Sequence, residues 1–316
     1  GLIAGTSGPG SPFWVSNATD SVFNSSAVMR DNGMVGAMES DGDATVMWRY
    51  LGYETTVIRF TRTGAGSGTW GAEATYGGTV GYKVDGHGTF GVTGGADSQT
   101  MWVLAGQSSV KALGTLTWSG TSPTTPALLT DASTFDIGTN LLLGITPTGH
   151  SLAVWTEAEG EKLLYSTKSA SASIWSAPLA IVDTYWIRNP RLVDDGSGNI
   201  ALLWRERLSS TSSVVARVAS WNQSSGWNTP ATISSATGNA DCISPAMTSA
   251  GSGFVTYVDS ADQTLLYGAT FDTEGNVTEG TVIATDSSGG FTCGGDADRY
   301  SIALANDGRY IIAFDV

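Results

Sequence analysis

Three observations predict an all-β fold built from six repeats of a four-stranded unit. The first is composition. Glycine supplies 41 of 316 residues, the apolar runs are dominated by Val, Thr, Ile, Tyr and Trp, and no Ala/Leu/Glu/Lys-rich stretch suggests a helix. The second is alternation. The segment "SLAVWTEAEGEKLLYSTKSASASIWSAPLAIV" (151–182) alternates apolar and polar residues, turns, and does so again, which is the two-residue period of half-buried strands. The third is recurrence. An apolar run ending in an aromatic appears six times, at Trp48, Trp102, Trp155, Trp204, Tyr257 and Phe314, at intervals of 49 to 57 residues.

Taken in chain order, each repeat shows a polar turn, the aromatic-ended run and a second apolar run. The first reads "SDGDA", "TVMW" and "VIRF" (Ile58); the second reads "GGADS", "QTMW" and "ALGT" (Leu113). The third is "PTGH", "LAVW" and "LLYS" (Leu164), and the fourth is "DDGSGN", "ALLW" and "VVAR" (Val215). The fifth is "AGSG", "FVTY" and "LLYG" (Leu266). The sixth is split: "NDGR" and "IIAF" lie at the C-terminus, and its second run, "LIAG" (Ile3), lies at the N-terminus. Gly, Asp and Asn supply the backbone angles that tight hairpins need. A further turn after the second run carries Trp70, Trp175 or Trp227 in three repeats. Each repeat therefore predicts a meander of four short antiparallel strands.

Radial repetition of four-stranded sheets makes a β-propeller, whereas a linear stack would need capping repeats that this sequence lacks. The expectation is one domain over residues 1–316, a six-bladed β-propeller of four-stranded antiparallel blades. Its ring is closed by a blade built from both termini, residues 1–20 with 294–316, which leaves no open sheet edge. The aromatic column is expected to pack between neighbouring blades. The turn tryptophans are expected to pack at the blade edges.

The formal charge is −14, which repels nucleic acid and anionic membrane surfaces. No apolar run reaches the length of about 18 residues that a membrane span needs, so no membrane insertion is expected. The N-terminus has no basic segment followed by an apolar one, so a secretion signal is expected to have been removed or never present. Two His and two Cys do not readily build a Cys/His zinc site. Cys242 and Cys293 stand one repeat period apart, and a disulfide between them is predicted, which places the chain in an extracellular or cell-surface setting.

Function is expected in the least repetitive segments, the loops before the first strand of each repeat and between its second and third strands. In "VDTYWIRNP" an exposed Trp186 stands beside Arg188, with Arg205 in the loop segment "RERLSSTSS" (205–213) of the same repeat. A flat apolar ring beside guanidinium groups suits a saccharide or a carboxylate. Arg49 and Arg299, from other repeats, could converge on the same mouth. The structural reading of the same residues is an ion pair between Arg205 and Glu206 or a neighbouring carboxylate, with Trp186 as a plug. No cofactor is expected. A ring of polar residues before the first strands (Asn32, His87, Asn140, Asn189, Asp241 and Asp298) offers oxygen ligands for calcium, although its register varies and polar loop residues occur there anyway. The acidic turns, Asp41 with Asp43 and Asp194 with Asp195, read as turn chemistry. No G-x-S-x-G or H-E-x-x-H motif occurs.

The segment "NIALLWRERLSSTSSVVARVASWNQSSGWNTPATI" (199–233), together with 151–182, resembles the repeats of bacterial extracellular propeller proteins. Distantly, the pattern is similar to two better-known groups. Sialidases are six-bladed and carry Ser-x-Asp-x-Gly-x-x-Trp boxes in the turn where Trp70, Trp175 and Trp227 stand here without the rest of the box. The segment "RNPRLV" (188–193) resembles the sialidase Arg-Ile-Pro segment, with Asn189 in place of Ile; that resemblance implies a substrate-carboxylate role for Arg188. Six-bladed fucose-binding lectins share the repeat length and a Gly-Trp turn, as in "SWNQSSGW" (220–227). Their recurring Glu has no counterpart in the second apolar runs here. The functional expectation is a binding module that recognises glycan or protein through its loop face. The alternative is a carbohydrate-active enzyme, a sialidase-like hydrolase or a polysaccharide lyase.

Overall fold

The computed structural model describes backbone strands along the chain. Side chains are described for most of residues 140–286, for 290–291, for parts of 300–312, and for residues 113–115 and 129. The chain forms two compact units, Gly1–Ile145 with Ser151–Trp155 and Ser166–Pro178, and Thr146–His150 with Thr156–Tyr165 and Leu179–Val316.

The first strands are β1 (Ile3–Ala4) and β2 (Phe13–Trp14), an antiparallel pair. A meander of β3 (Met34–Met38), β4 (Ala44–Leu51), β5 (Thr56–Arg62) and β6 (Ala74–Tyr76) follows. The next sheet holds β7 (Tyr82–Val92), β8 (Ser98–Gly106) and β9 (Lys111–Ser119), with β10 (Ser122–Pro123) and β11 (Ala127–Leu128) both on β9. The third sheet is β12 (Ile137–Ile145), β13 (Ser151–Glu157), β14 (Lys162–Lys168) and β15 (Leu179–Asp183), and it supplies residues to both units. The fourth is β16 (Trp186–Asp194), β17 (Asn199–Arg207) and β18 (Val215–Asn222), with β19 (Gly226–Trp227) and β20 (Ala231–Thr232) on β18. The fifth is β21 (Ala240–Met247), β22 (Ser252–Asp259), β23 (Asp262–Asp272) and β24 (Thr281–Thr285). Last come β25 (Tyr300–Leu304) and β26 (Tyr310–Phe314), again an antiparallel pair.

Five of the six predicted meanders are therefore present, the sixth repeat contributing two separate strand pairs, and no helix occurs among the described residues. Every aromatic-ended run lies on the second strand of its sheet, and every second apolar run lies on the strand that pairs with it or, for Ile3, on β1. Within the first unit, β7 lies beside β3 and β12; within the second, β21 lies beside β16 and β25. First strands side by side, with each meander running away from them, is the arrangement of propeller blades. A ladder between β26 and β1 is not among those described.

The sequence reading placed Trp186 and Arg188 in one loop and Arg205 and Glu206 in another. The structure puts all four in paired strands, since β16 begins at Trp186 and β17 runs on to Arg207. The reason is a bulge. The β16–β17 register shifts between Arg188 and Arg191, and the β21–β22 register shifts at the equivalent place, between Asp241 and Ser244. Asn189 (φ 50°) and Cys242 (φ 52°) occupy the left-handed region there. Each absorbs an extra residue, so that the ladder resumes beyond the polar segment.

Four of the described hairpin turns share one device. In each, a side chain at the turn start accepts a hydrogen bond from the backbone N–H four residues on. Thr146 accepts from His150 (3.1 Å), Asp195 from Asn199 (3.0 Å), and Thr248 from Ser252 (3.3 Å). Asp272 accepts from Asn276 (2.8 Å) in the same way. The acidic residues that lead these turns are thus structural.

Trp155 and Trp204 are fully buried, and Tyr257 is nearly so, as the packing reading of the aromatic column requires. One cluster joins the fourth and fifth sheets through Leu203, Val218, Ile243, Val255, Tyr257 and Phe271. Another joins Cys242, Val258, Leu266 and Phe291, with Ile312 of β26 packed against it. Two of the turn tryptophans, Trp175 and Trp227, reach back to the third strand of the preceding sheet, while Trp70 lies outside the described residues. Trp175 donates its indole N–H to the Thr115 hydroxyl (3.3 Å), and Trp227 meets Tyr165 edge-on at 5.9 Å. Lys168 sits 5.9 Å from the Trp175 ring, and burial holds its ammonium below the ordinary lysine range. These tryptophans are therefore packing groups between blades.

Candidate functional site

In an antiparallel ladder, directly opposed residues share a face, and so do residues two apart on one strand. Trp186 opposes Arg207, and Arg188 opposes Arg205. The four side chains therefore form a two-by-two block on one face of the β16–β17 pair. The guanidinium carbons of Arg188, Arg205 and Arg207 stand 5.0, 5.5 and 5.7 Å from the centre of the Trp186 ring, within cation–π reach. The indole is thus a platform for arginines.

The arginines are anchored differently. Arg205 donates through Nε to the Ala240 carbonyl (2.8 Å) and pairs with the Asp241 carboxylate at 2.6 Å. Arg188 donates to the Ile187 carbonyl (2.8 Å) and lies over Gly160. Gly160 has φ +73°, its carbonyl accepts from the Ile187 N–H (2.6 Å), and a Cβ there would run into the Arg188 guanidinium. Only glycine satisfies both demands. The Nε of Arg207 is buried with no hydrogen-bond partner. Among the described residues neither Arg188 nor Arg207 forms an ion pair.

Three guanidinium groups around one ring repel one another. Asp241 offsets one of the three charges. The block is left with two positive charges in a chain whose net charge is −14, and an anionic group placed there would relieve the repulsion.

The opposite face of the same strands is closed. Glu206, 2 % exposed, accepts from the Trp204 indole N–H (2.8 Å) and stands 3.1 Å from Arg217 Nε. Arg217 is braced further by Thr232 and the Pro230 carbonyl. The expected Arg205–Glu206 pair does not form, because consecutive strand residues point to opposite faces. The neighbouring carboxylate that does pair with Arg205 is Asp241, from the next sheet.

Arg207 escaped the sequence reading, although the alternation in "RER" already puts residues 205 and 207 on one face. Arg49 lies on β4 opposite Ile58, and its side chain is outside the described residues. Arg299, Asn32, Asp298 and Cys293 lie outside the described residues as well. Cys242 is buried. Of the proposed calcium ring, His87 falls on β7 and Asn140 on β12, while Asp241 is engaged by Arg205. Among the described residues, no group of three or more His, Cys, Asp or Glu side chains gathers as a metal site would require.

No protein-family model matches the sequence, and no curated protein matches it. Solved structures share the fold. The BP39L lectin from Burkholderia pseudomallei aligns with a TM-score of 0.50 at 12% identity, covering 79% of this chain and 69% of that one. A prolyl endopeptidase aligns with a TM-score of 0.52 at 11% identity, covering 91% of this chain and 43% of that one. The chain thus spans less than half of the endopeptidase. An Aleuria aurantia lectin in complex with Fucalpha1-6GlcNAc aligns with a TM-score of 0.47 at 14% identity, over 89% of this chain and 87% of that one. At these identities the likeness is one of fold.

Proposed function

We infer that the protein is an extracellular or cell-surface glycan-binding module whose site is the block of Trp186, Arg188, Arg205 and Arg207. The observation that carries this reading is the pair of guanidinium groups, Arg188 and Arg207, held on one sheet face beside Trp186 without a carboxylate partner among the described residues. Planar, always-charged donors in that position fit the carboxylate or sulfate of an acidic glycan. The test is a glycan array containing matched acidic and neutral oligosaccharides, followed by titration of the best binder. Acidic glycans are expected to be retained. Arg188→Ala and Arg207→Ala should each weaken binding by about tenfold or more, the loss of one charge-assisted hydrogen bond. Trp186→Ala should weaken it as well, by releasing the guanidinium groups from their platform. Unchanged affinity in all three folded variants would place the site elsewhere. Release of new reducing ends or unsaturated uronates from the same glycans would make the protein an enzyme instead.

The split sixth repeat is proposed to close six blades into one ring within a single domain, with β1 beside β26. The predicted disulfide belongs to the same proposal. Cys242 and Cys293 close a loop of one repeat, which would contribute roughly 4 kcal/mol in the chain-entropy description. The unreduced, denatured protein should show no titratable thiol, and two after reduction. Thiols that react before reduction would remove the disulfide from this account.

A further inference from the structure

The other end of β17 carries a second feature. A groove of about 380 Å³ opens among the β12–β13, β16–β17 and β18–β19 turns. Thr146, Thr148, Ser197, Asn199, Asn222 and Gln223 line it with their neighbours, and none of the described lining residues is charged. In a chain with 29 acidic and 15 basic residues, an uncharged polar groove selects against ions and for hydrogen-bonding ligands.

Asn199 and Asn222 oppose each other directly in the β17–β18 ladder. Their side chains rise from one face with Cβ atoms about 5 Å apart. Each amide is pinned at one end, and the ends differ. Asn199 donates through Nδ2 to Asp195 Oδ2 (2.5 Å), and Asp195 is itself held by the backbone N–H groups of Ser197 and Asn199. That leaves the Asn199 oxygen as an acceptor. Asn222 Oδ1 accepts from the backbone N–H groups of Ser224 and Ser225 (both 2.9 Å) and from their hydroxyls (2.8 and 2.9 Å). That leaves the Asn222 nitrogen as a donor. Gln223 repeats the pattern, with Oε1 accepting from the Thr148 hydroxyl (3.4 Å) and Nε2 left as a second donor.

An acceptor and a donor are thus fixed from behind, side by side, before any ligand arrives. Fixing them in advance lowers the entropy that binding must overcome. Two adjacent hydroxyl groups on a sugar ring present the complementary donor and acceptor. A metal ion would meet amide N–H groups, and a carboxylate would meet the Asn199 oxygen with Asp195 behind it. We propose that this groove is a second binding site, which takes a neutral saccharide through a pair of vicinal hydroxyls. Along β17 the groove residue Asn199 lies roughly 20 Å from Arg205 and about 26 Å from Arg207, so the two sites act on different chemistry. The proposal does not depend on the arginine site.

The test follows the side-chain amide resonances of the nitrogen-15-labelled full chain. The probes are methyl glycosides of glucose, galactose, mannose and fucose, with galacturonate as the charged control. At least one neutral glycoside should shift the Asn222 and Gln223 side-chain signals with a Kd on the order of millimolar, as hydrogen bonds without an aromatic platform allow. Galacturonate should not shift them. Asn222→Asp keeps the pinned oxygen and replaces the donor; it should weaken binding by about tenfold or more. Gln223→Ala, in an exposed turn, should weaken it by a smaller factor. Arg207→Ala should leave it unchanged, which separates this site from the acidic one. The proposal is overturned if no glycoside shifts these signals up to about 100 mM, if galacturonate shifts them as strongly, or if folded Asn222→Asp binds like the parent.

Discussion

A chain ending at Arg309 is expected to lose its cooperative thermal transition. Removing residues 310–316 deletes β26, which supplies all five register partners of β25. It removes Ile312 from the cluster with Cys242, Val258, Leu266 and Phe291. It also removes the Tyr310 ring, stacked 4.4 Å from Phe254 of β22. The deletion therefore strips β25 of its ladder partner and the fifth sheet of the side chains packed against it. If β1 completes the same blade, the deletion opens a second strand edge, and open edges invite aggregation. Circular dichroism and calorimetry should show a broad, low-enthalpy transition. A truncated chain that melts cooperatively within a few degrees of the intact protein would contradict the ring closure.

Trp204→Ala is expected to cost about 4 kcal/mol, the usual range for truncating a buried aromatic, and to lower Tm by roughly 10 °C. Trp204 is fully buried, so its loss leaves a cavity between sheets. It also leaves Glu206 Oε2, on a side chain 2 % exposed, without its indole donor while Oε1 keeps Arg217, and one unsatisfied buried carboxylate oxygen adds to the cavity term. The contrast with Trp155 isolates the second effect. Both indoles are fully buried, but the Trp155 N–H has no hydrogen-bond partner. Trp204→Phe should therefore destabilise more than Trp155→Phe, by about 1–3 kcal/mol. Equal losses in the two Phe variants would show that the Trp204–Glu206 bond contributes nothing measurable.

The repeat and its strands were legible in the sequence because a strand writes itself locally. An apolar–polar alternation, a Gly- or Asp-bearing turn and an aromatic at one repeated place are all short-range signals. Trp155, Trp204 and Tyr257 were readable as packing groups for the same reason: six chance matches at one spacing are improbable, and a repeated apolar side chain is needed wherever repeated sheets stack. Trp186, Arg188 and Arg205 were singled out in sequence by their chemistry and by their place near strand ends, and the structure sets the two guanidinium groups against the one ring.

What could not be read was where loop gives way to ladder, and which charges meet. The bulges at Asn189 and Cys242 carry β16 and β21 past residues that look like loop. That continuation depends on the partner strand, so no local pattern announces it. It alone brings Arg207 opposite Trp186 and sends Glu206 to the buried face. The partner of Arg205 is Asp241, 36 residues on and in another sheet, and only the packing of one sheet on the next selects it. The pairing of Asn199 with Asn222 was hidden in the same way. Each amide is unremarkable in its own turn, and the acceptor and donor they leave exposed become a site only when β17 and β18 align in this register. Local sequence determined the strands; the register between them decided the chemistry, because hydrogen bonds and charges act over a few ångströms in space whatever their separation along the chain.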